Sequence, residues 1–197
     1  MTRRFAIRGA SRALALATLL LLACSAPAAA GKRPARNEPA SPVAGDVLSN
    51  RARKHALAGL DGSKLTLAGL EGQVVVLNFW ASWCAPCRRE LPDLDALDRE
   101  IEARGGRVIA VSIDEDVENA RRFARVHQLT MPVVHDGPDG LVAQMNLDHV
   151  PYTLVIDRRG KVVYTAAGAG PEVVDRVAAI TRKLVAADPG SVASEGR

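Results

Sequence analysis

Residues 74–79, Val-Val-Val-Leu-Asn-Phe, are apolar at every position but Asn78. A strand with one wet face alternates apolar and polar residues. A strand-length run without that alternation belongs at the centre of a sheet covered on both faces. The chain must therefore supply more strands and helices to pack on each side. The next segment begins to do so. Leu91, Leu94, Leu97 and Ile101 recur at spacings of three and four, with charged residues between them. This is the pattern of a helix with one buried face, and Gly105-Gly106 is its expected stop.

The remaining chain alternates in the same way. Arg107 to Ile113 predicts a second buried strand. Asp114 or Asp116 is placed to cap a following helix whose apolar face is Val117, Ala120, Phe123 and Ala124. Met-Pro-Val-Val-His, ending at His135, predicts a short strand, and Asp139 to Leu147 a short helix. Tyr152 to Gly168 predicts a hairpin turning at Asp157 to Gly160. A last helix opens at Pro171, where proline suits a first turn. Upstream, residues 55–72 alternate around Asp61-Gly62, which predicts a further hairpin before the first long strand. Strands alternating with helices imply an α/β fold with helices on both faces of the sheet. At 48% hydrophobic but only 4% aromatic, the core must be aliphatic.

The first 24 residues read differently. Arg3, Arg4, Arg8 and Arg12 precede the apolar run Ala13 to Ala23. That run is too short for a bilayer, which needs about 20 residues, and fits a signal-peptide core. It ends in Leu-Leu-Ala-Cys, which resembles a bacterial lipoprotein cleavage box and makes Cys24 the expected lipid-bearing first residue of the mature chain. Cleavage after the later Ala-Pro-Ala or Ala-Ala-Ala would instead discard Cys24. Residues 25–45, rich in Ala and Pro, predict a flexible linker. The folded domain is expected over 46–187 and a frayed tail over 188–197. Charge argues against nucleic-acid binding. The net +4 resides in the leader: without its four arginines, 22 basic residues face 22 acidic ones.

Cys84 and Cys87 are the cysteines left once Cys24 is lipidated or removed. A CxxC pair is half of a tetrahedral zinc site. The histidines, His55, His127, His135 and His149, are single and lack ligand spacing, so no metal is expected. A bridge across so short a loop restrains the unfolded chain little, so a purely structural disulfide is a weak explanation. The position favours redox chemistry. Cys84 falls where the strand gives way to the helix. There the unpaired N–H groups and the helix dipole favour a thiolate. Cys87, one turn on, can reach back as a resolving thiol. Pro86 between them stiffens the turn, and Trp83 is placed to shield one side of Cys84. Glu90, three residues after Cys87, comes round to the same helical face. It is either a proton carrier for the thiols or a glutamate that merely complements the helix dipole.

Val-Leu-Asn-Phe-Trp-Ala-Ser-Trp-Cys-Ala-Pro-Cys-Arg-Arg-Glu-Leu-Pro, with Val108 to Asp114, Val150 to Val163 and the upstream hairpin, resembles the thioredoxin superfamily in its exported TlpA/ResA-like branch. The resemblance covers roughly residues 46–187. It implies a thioredoxin-like mixed sheet with an added N-terminal hairpin, and a membrane-tethered thiol–disulfide oxidoreductase acting mainly as a reductant. It further implies a cis peptide before Pro151, a substrate-binding backbone at Val150, a substrate groove formed by Trp83, Val150 and Pro151, and a helix kink at Pro92. Glu90 gains a proton-transfer role. Thioredoxins of the cytoplasm carry an aspartate where this chain has Asn78, and an amide cannot carry that proton. The implied partners are protein disulfides or thiols, such as apocytochrome c or a copper-site protein, with electrons from a membrane thiol transporter. No soluble cofactor is required, and a monomer is expected.

Two rival functions remain open on sequence. A thiol peroxidase of peroxiredoxin type needs a Pro-x3-Thr-x2-Cys frame, which the residues before Cys84 lack. A Cu(I) chaperone would use the two thiolates as soft ligands, with His149 a weak third candidate.

Overall fold

The computed structural model describes residues 48–187. The expected leader, Cys24, the linker and the C-terminal tail lie outside the described residues. The elements run α1 (Asn50–Lys54), β1 (Leu57–Gly59), β2 (Lys64–Leu65), β3 (Val74–Trp80), α2 (Ala85–Ile101), β4 (Gly106–Ser112), α3 (Val117–Val126), β5 (Val133–His135), α4 (Leu141–Gln144), β6 (Tyr152–Ile156), β7 (Val162–Ala167) and α5 (Pro171–Ala186). Seven strands form one mixed sheet in the order β2-β1-β5-β4-β3-β6-β7. β3, β4 and β5 are mutually parallel, and the outer strands run antiparallel to their neighbours. The hairpin predicted around Asp61-Gly62 is β1–β2, and it extends the sheet beyond β5.

All seven residues of β3 are buried, as a strand covered on both faces requires. Its two faces feed two separate cores. Val74, Val76 and Trp80 pack with Leu91, Leu94 and Ile101 of α2, Phe123 of α3 and Val177 of α5. Val75, Leu77 and Phe79 pack with Ala52 of α1 and with Leu141 and Val142 of α4. Helices cover both faces. The strand's period of two also puts Asn78 on the same face as Val76 and Trp80, beneath α2. Polar Asn78 thus sits fully buried in the layer that holds the cysteines.

α2 continues through Pro92, although proline leaves the Arg88 carbonyl without its helical donor. A single 3-10 turn and Gly105, at φ 76°, then deliver the chain into β4. Side chains fix α2 against the sheet. Asp98 accepts from the Val108 N–H at 2.6 Å. Asp95 accepts from the Thr130 and Met131 N–H groups, each at 2.7 Å, and pairs with Arg99. Burial alone would raise the Asp95 pKa. The hydrogen bonds outweigh it and hold the carboxyl below its ordinary range, so its support is present at neutral pH and is lost in acid. Asp95→Ala strands two backbone N–H groups and is expected to destabilise the protein by about 2–4 kcal/mol at pH 7. Denaturant unfolding at pH 7 measures this, and an unchanged midpoint would show that water replaces the carboxylate without cost.

Candidate active site

Cys84 is the N-cap of α2, and its sulfur accepts from the Cys87 N–H at 3.2 Å. This satisfies one of the orphan donors at the helix start. The two sulfurs are joined in a disulfide. Cys87 is wholly buried, whereas Cys84 retains slight exposure, 5%. Trp83, beside it in sequence, is 68% exposed, so its ring stands largely in solvent rather than lying closed over the sulfurs. The Val150 carbonyl oxygen lies 3.8 Å from Cys84 Sγ. The Val150–Pro151 peptide is cis. The cysteine pair and the Val150–Pro151 peptide, more than sixty positions apart in the chain, therefore meet where β3 ends and β6 begins.

Glu90 is buried on α2. Its Oε1 accepts from Asn78 Nδ2 at 2.9 Å, and the same Nδ2 donates to Thr153 Oγ1 at 2.9 Å. The sheet register explains the contact, because Asn78 lies directly opposite Thr153 on the antiparallel β3–β6 pair. Burial raises the Glu90 carboxyl to about 7, with the Asn78 hydrogen bond opposing the shift. A carboxyl with that pKa can give or take a proton near neutral pH. Between the starts of α2 and α5, a cleft of about 210 Å³ is bounded by Pro86, Arg89, Glu90, Asp93, Ala169 and Pro171. It gives the glutamate an outlet beside the cysteine loop.

Asp116 caps α3 through the Glu118 N–H at 2.9 Å. Asp114 does not cap that helix. Its buried carboxylate turns back to Ser82, in the loop before the cysteines. Its distance from α3 is the reason: the residue follows β4 closely enough to lie beneath the neighbouring strand's loop. His149 pairs with Asp148 and meets Tyr152 edge-on, its ring centroid 5.7 Å away. No group of three His, Cys, Asp or Glu side chains is disposed to hold a metal among the described residues. Nothing in the linear sequence singles out Thr153 or Ser82. Counting strand alternation from Asn78 across a β3–β6 pairing would have pointed to Thr153, but the register is not written in either segment alone.

The sequence model of the AhpC/TSA family matches residues 48–165. The thiol-disulfide oxidoreductase ResA of Geobacillus thermodenitrificans (strain NG80-2) is 34% identical over 116 residues, covering 59% of this chain and 67% of that protein. Among solved structures, one described as a thiol:disulfide interchange protein DsbE from Chlorobium tepidum aligns with a TM-score of 0.64 at 29% identity, over 68% of this chain and 94% of that one. A secreted thiol-disulfide isomerase from Corynebacterium glutamicum aligns with a TM-score of 0.60 at 28% identity, over 67% and 83% of the two chains.

Proposed function

The chain belongs to the AhpC/TSA family, within the thioredoxin superfamily, and is a thiol–disulfide oxidoreductase of the ResA/DsbE type; from this we propose that it reduces disulfides of exported proteins, with Cys84 as nucleophile, Cys87 as resolving thiol and Glu90 as the proton-handling group. The observation that carries the reading is the asymmetry of the pair. Cys84 caps the helix at the slightly exposed edge, next to Val150, while Cys87 is sealed beneath it.

The reaction balances as two exchanges. The Cys84 thiolate attacks one sulfur of a substrate disulfide. A mixed disulfide forms, and the other substrate sulfur leaves and takes up a proton. Cys87, deprotonated by Glu90, then attacks Cys84 Sγ. The second substrate thiol is released, and the product is the Cys84–Cys87 disulfide present in the structure. Each cycle oxidises the pair by two electrons, so an external dithiol must restore it. A membrane thiol transporter suits an exported protein. In this reading the Val150 carbonyl, 3.8 Å from Cys84 Sγ, receives an extended substrate backbone, and Trp83 and Pro151 complete the groove.

Export rests on the arginine-led apolar run of residues 1–24 and on the secreted relative from Corynebacterium glutamicum. Lipidation at Cys24 would hold the domain to a membrane by the 25–45 linker. Apocytochrome c or a copper-site protein is the proposed substrate class, since both present cysteine pairs that must be reduced before they bind haem or metal. Insulin-disulfide reduction, hydrogen-peroxide turnover and Cu(I) affinity, measured on one preparation, test the reading. Fast insulin reduction with negligible peroxide turnover is expected. The converse would make the protein a peroxidase, and tight Cu(I) binding without reduction a chaperone.

Cys87→Ser leaves the nucleophile but removes the resolving thiol. It is expected to stop after a single attack and to accumulate mixed disulfides with its substrates in the cell envelope. Non-reducing electrophoresis and mass spectrometry then identify the partners. A variant that forms no adducts, yet still carries a titratable Cys84, would contradict the assigned order of attack.

A further inference from the structure

Two residues before the nucleophile, the chain turns sharply. The Cys84 N–H donates to the Ala81 carbonyl at 3.1 Å, closing a turn over residues 81–84. Ser82 is a central residue of that turn, and its donors all point at one group. Its N–H is shared between the two oxygens of Asp114, at 3.1 and 3.0 Å, and its hydroxyl donates to Oδ1 at 2.6 Å. Asp114 is 1% exposed. It lies just past the end of β4, and it is itself held from below. Ser112 Oγ donates to Oδ2 at 2.8 Å and accepts from the Asp114 N–H at 3.1 Å. The His135 ring at the end of β5 bonds the Asp114 carbonyl through Nε2 at 2.7 Å. The Ile113 N–H donates to the Trp80 carbonyl at 2.9 Å, so β3 and β4 are still paired where the turn begins. Among the described residues no cation pairs with this carboxylate.

A buried carboxylate without a counter-ion is costly unless hydrogen bonds satisfy it. Here hydroxyl and amide donors do so, and the strongest set comes from the turn that presents Cys84. If Asp114 served only the core, an apolar residue would fill the same space without that cost. We propose that Asp114 is a positioning residue for the thiol–disulfide exchange. It clamps the 81–84 turn through Ser82 and so holds Cys84 Sγ against the Cys87 N–H. The proposal rests on the redox reading above and adds a residue to it. Asp114 touches neither sulfur nor substrate. It acts through Ser82, and charge-assisted hydrogen bonds of this kind are the strong ones.

The clamp makes a directional prediction. Releasing the turn lets Cys84 drift from the helix N–H groups that favour its thiolate, so its titration moves to higher pH. Removing a negative charge that acted simply through space would move it to lower pH. Asp114→Ala and Asp114→Asn in the 48–187 domain of the whole protein are compared with wild type. Three quantities are measured: thiolate absorbance against pH, insulin reduction, and folding by circular dichroism. Asp114→Ala is expected to titrate at higher pH and to reduce insulin roughly tenfold more slowly, the size of effect a small misplacement produces. Asp114→Asn keeps an oxygen for the Ser82 N–H and is expected to recover most of both. A folded Asp114→Ala variant that matches wild type would overturn the proposal, as would a downward shift in both variants. If Asp114→Ala does not fold, Asp114→Ser is read by the same criteria, because its short hydroxyl cannot reach both Ser82 donors. Wild-type insulin reduction is the separate control: its absence would sink the redox reading itself, whatever the Asp114 variants do.

Discussion

Cys84→Ser is expected to abolish disulfide reduction, lowering the rate roughly a thousandfold or more, as loss of a covalent nucleophile does. The reason is positional. Cys84 alone of the pair combines some exposure with the helix-cap position, where its sulfur receives the Cys87 N–H. Serine can make the same cap, so the fold should survive and unfolding should change little. What is lost is the thiolate nucleophile, which a serine hydroxyl cannot replace. Cys87, with no exposed surface, cannot take over the attack without opening the first turn of α2. The insulin assay decides the matter, and residual reduction within tenfold of wild type would move the nucleophile elsewhere.

Glu90→Gln carries the second large effect, and it appears twice. In catalysis, the resolving step needs a base for the buried Cys87 thiol. Loss of a positioned base costs typically 10²–10⁴-fold, and about 10²-fold is expected here because solvent can serve through the cleft. The limb of the wild-type pH–rate profile near 7 should vanish with it. In stability, burial lifts the Glu90 carboxyl from 4.5 to about 7 in the folded oxidised protein. The folded state therefore keeps a proton that the unfolded chain releases. The contribution of Glu90 is full below pH 4.5, falls as pH rises from there through 7, and is gone above it. The total loss is on the order of 3 kcal/mol. Glu90→Gln has nothing to titrate there, so its stability should be flat over the same range. Denaturant titrations of the oxidised proteins at pH 5 and pH 8 compare the two. Parallel slopes for wild type and variant would remove the buried proton from the account, and an unchanged pH–rate profile would remove Glu90 from the mechanism.

Asn78 connects these results to the sequence reading. In place of an acid that could itself move a proton, the chain has an amide that donates to Glu90 and Thr153 at once. The amide cannot titrate. It can hold the glutamate's oxygen in one place, and it partly offsets the burial that raises the pKa. In the proposed mechanism Glu90 carries the proton, and Asn78 only positions the carboxyl that does so.

Much of this was legible in the linear chain, for a physical reason. Strand and helix periods, turn residues and the spacing of the cysteines are local properties. The apolar run of β3, the leucine stripe of α2 and the start of that helix at Cys84 each follow from neighbours within a few positions. The sequence by itself therefore determined a redox-active pair at a strand-to-helix junction inside an α/β sheet. Other features depend on register between distant segments. Asn78 meets Glu90 across 12 positions and Thr153 across 75, and Asp114 meets Ser82 across 32. Asp114 shows the limit clearly. Its sequence context suits a helix cap as well as Asp116 does, and only the pairing of β4 beside β3 turns its carboxylate towards the cysteine loop instead. A buried polar group takes whichever partner the packed sheet brings within hydrogen-bonding distance, and that choice exists only once the strands are in register.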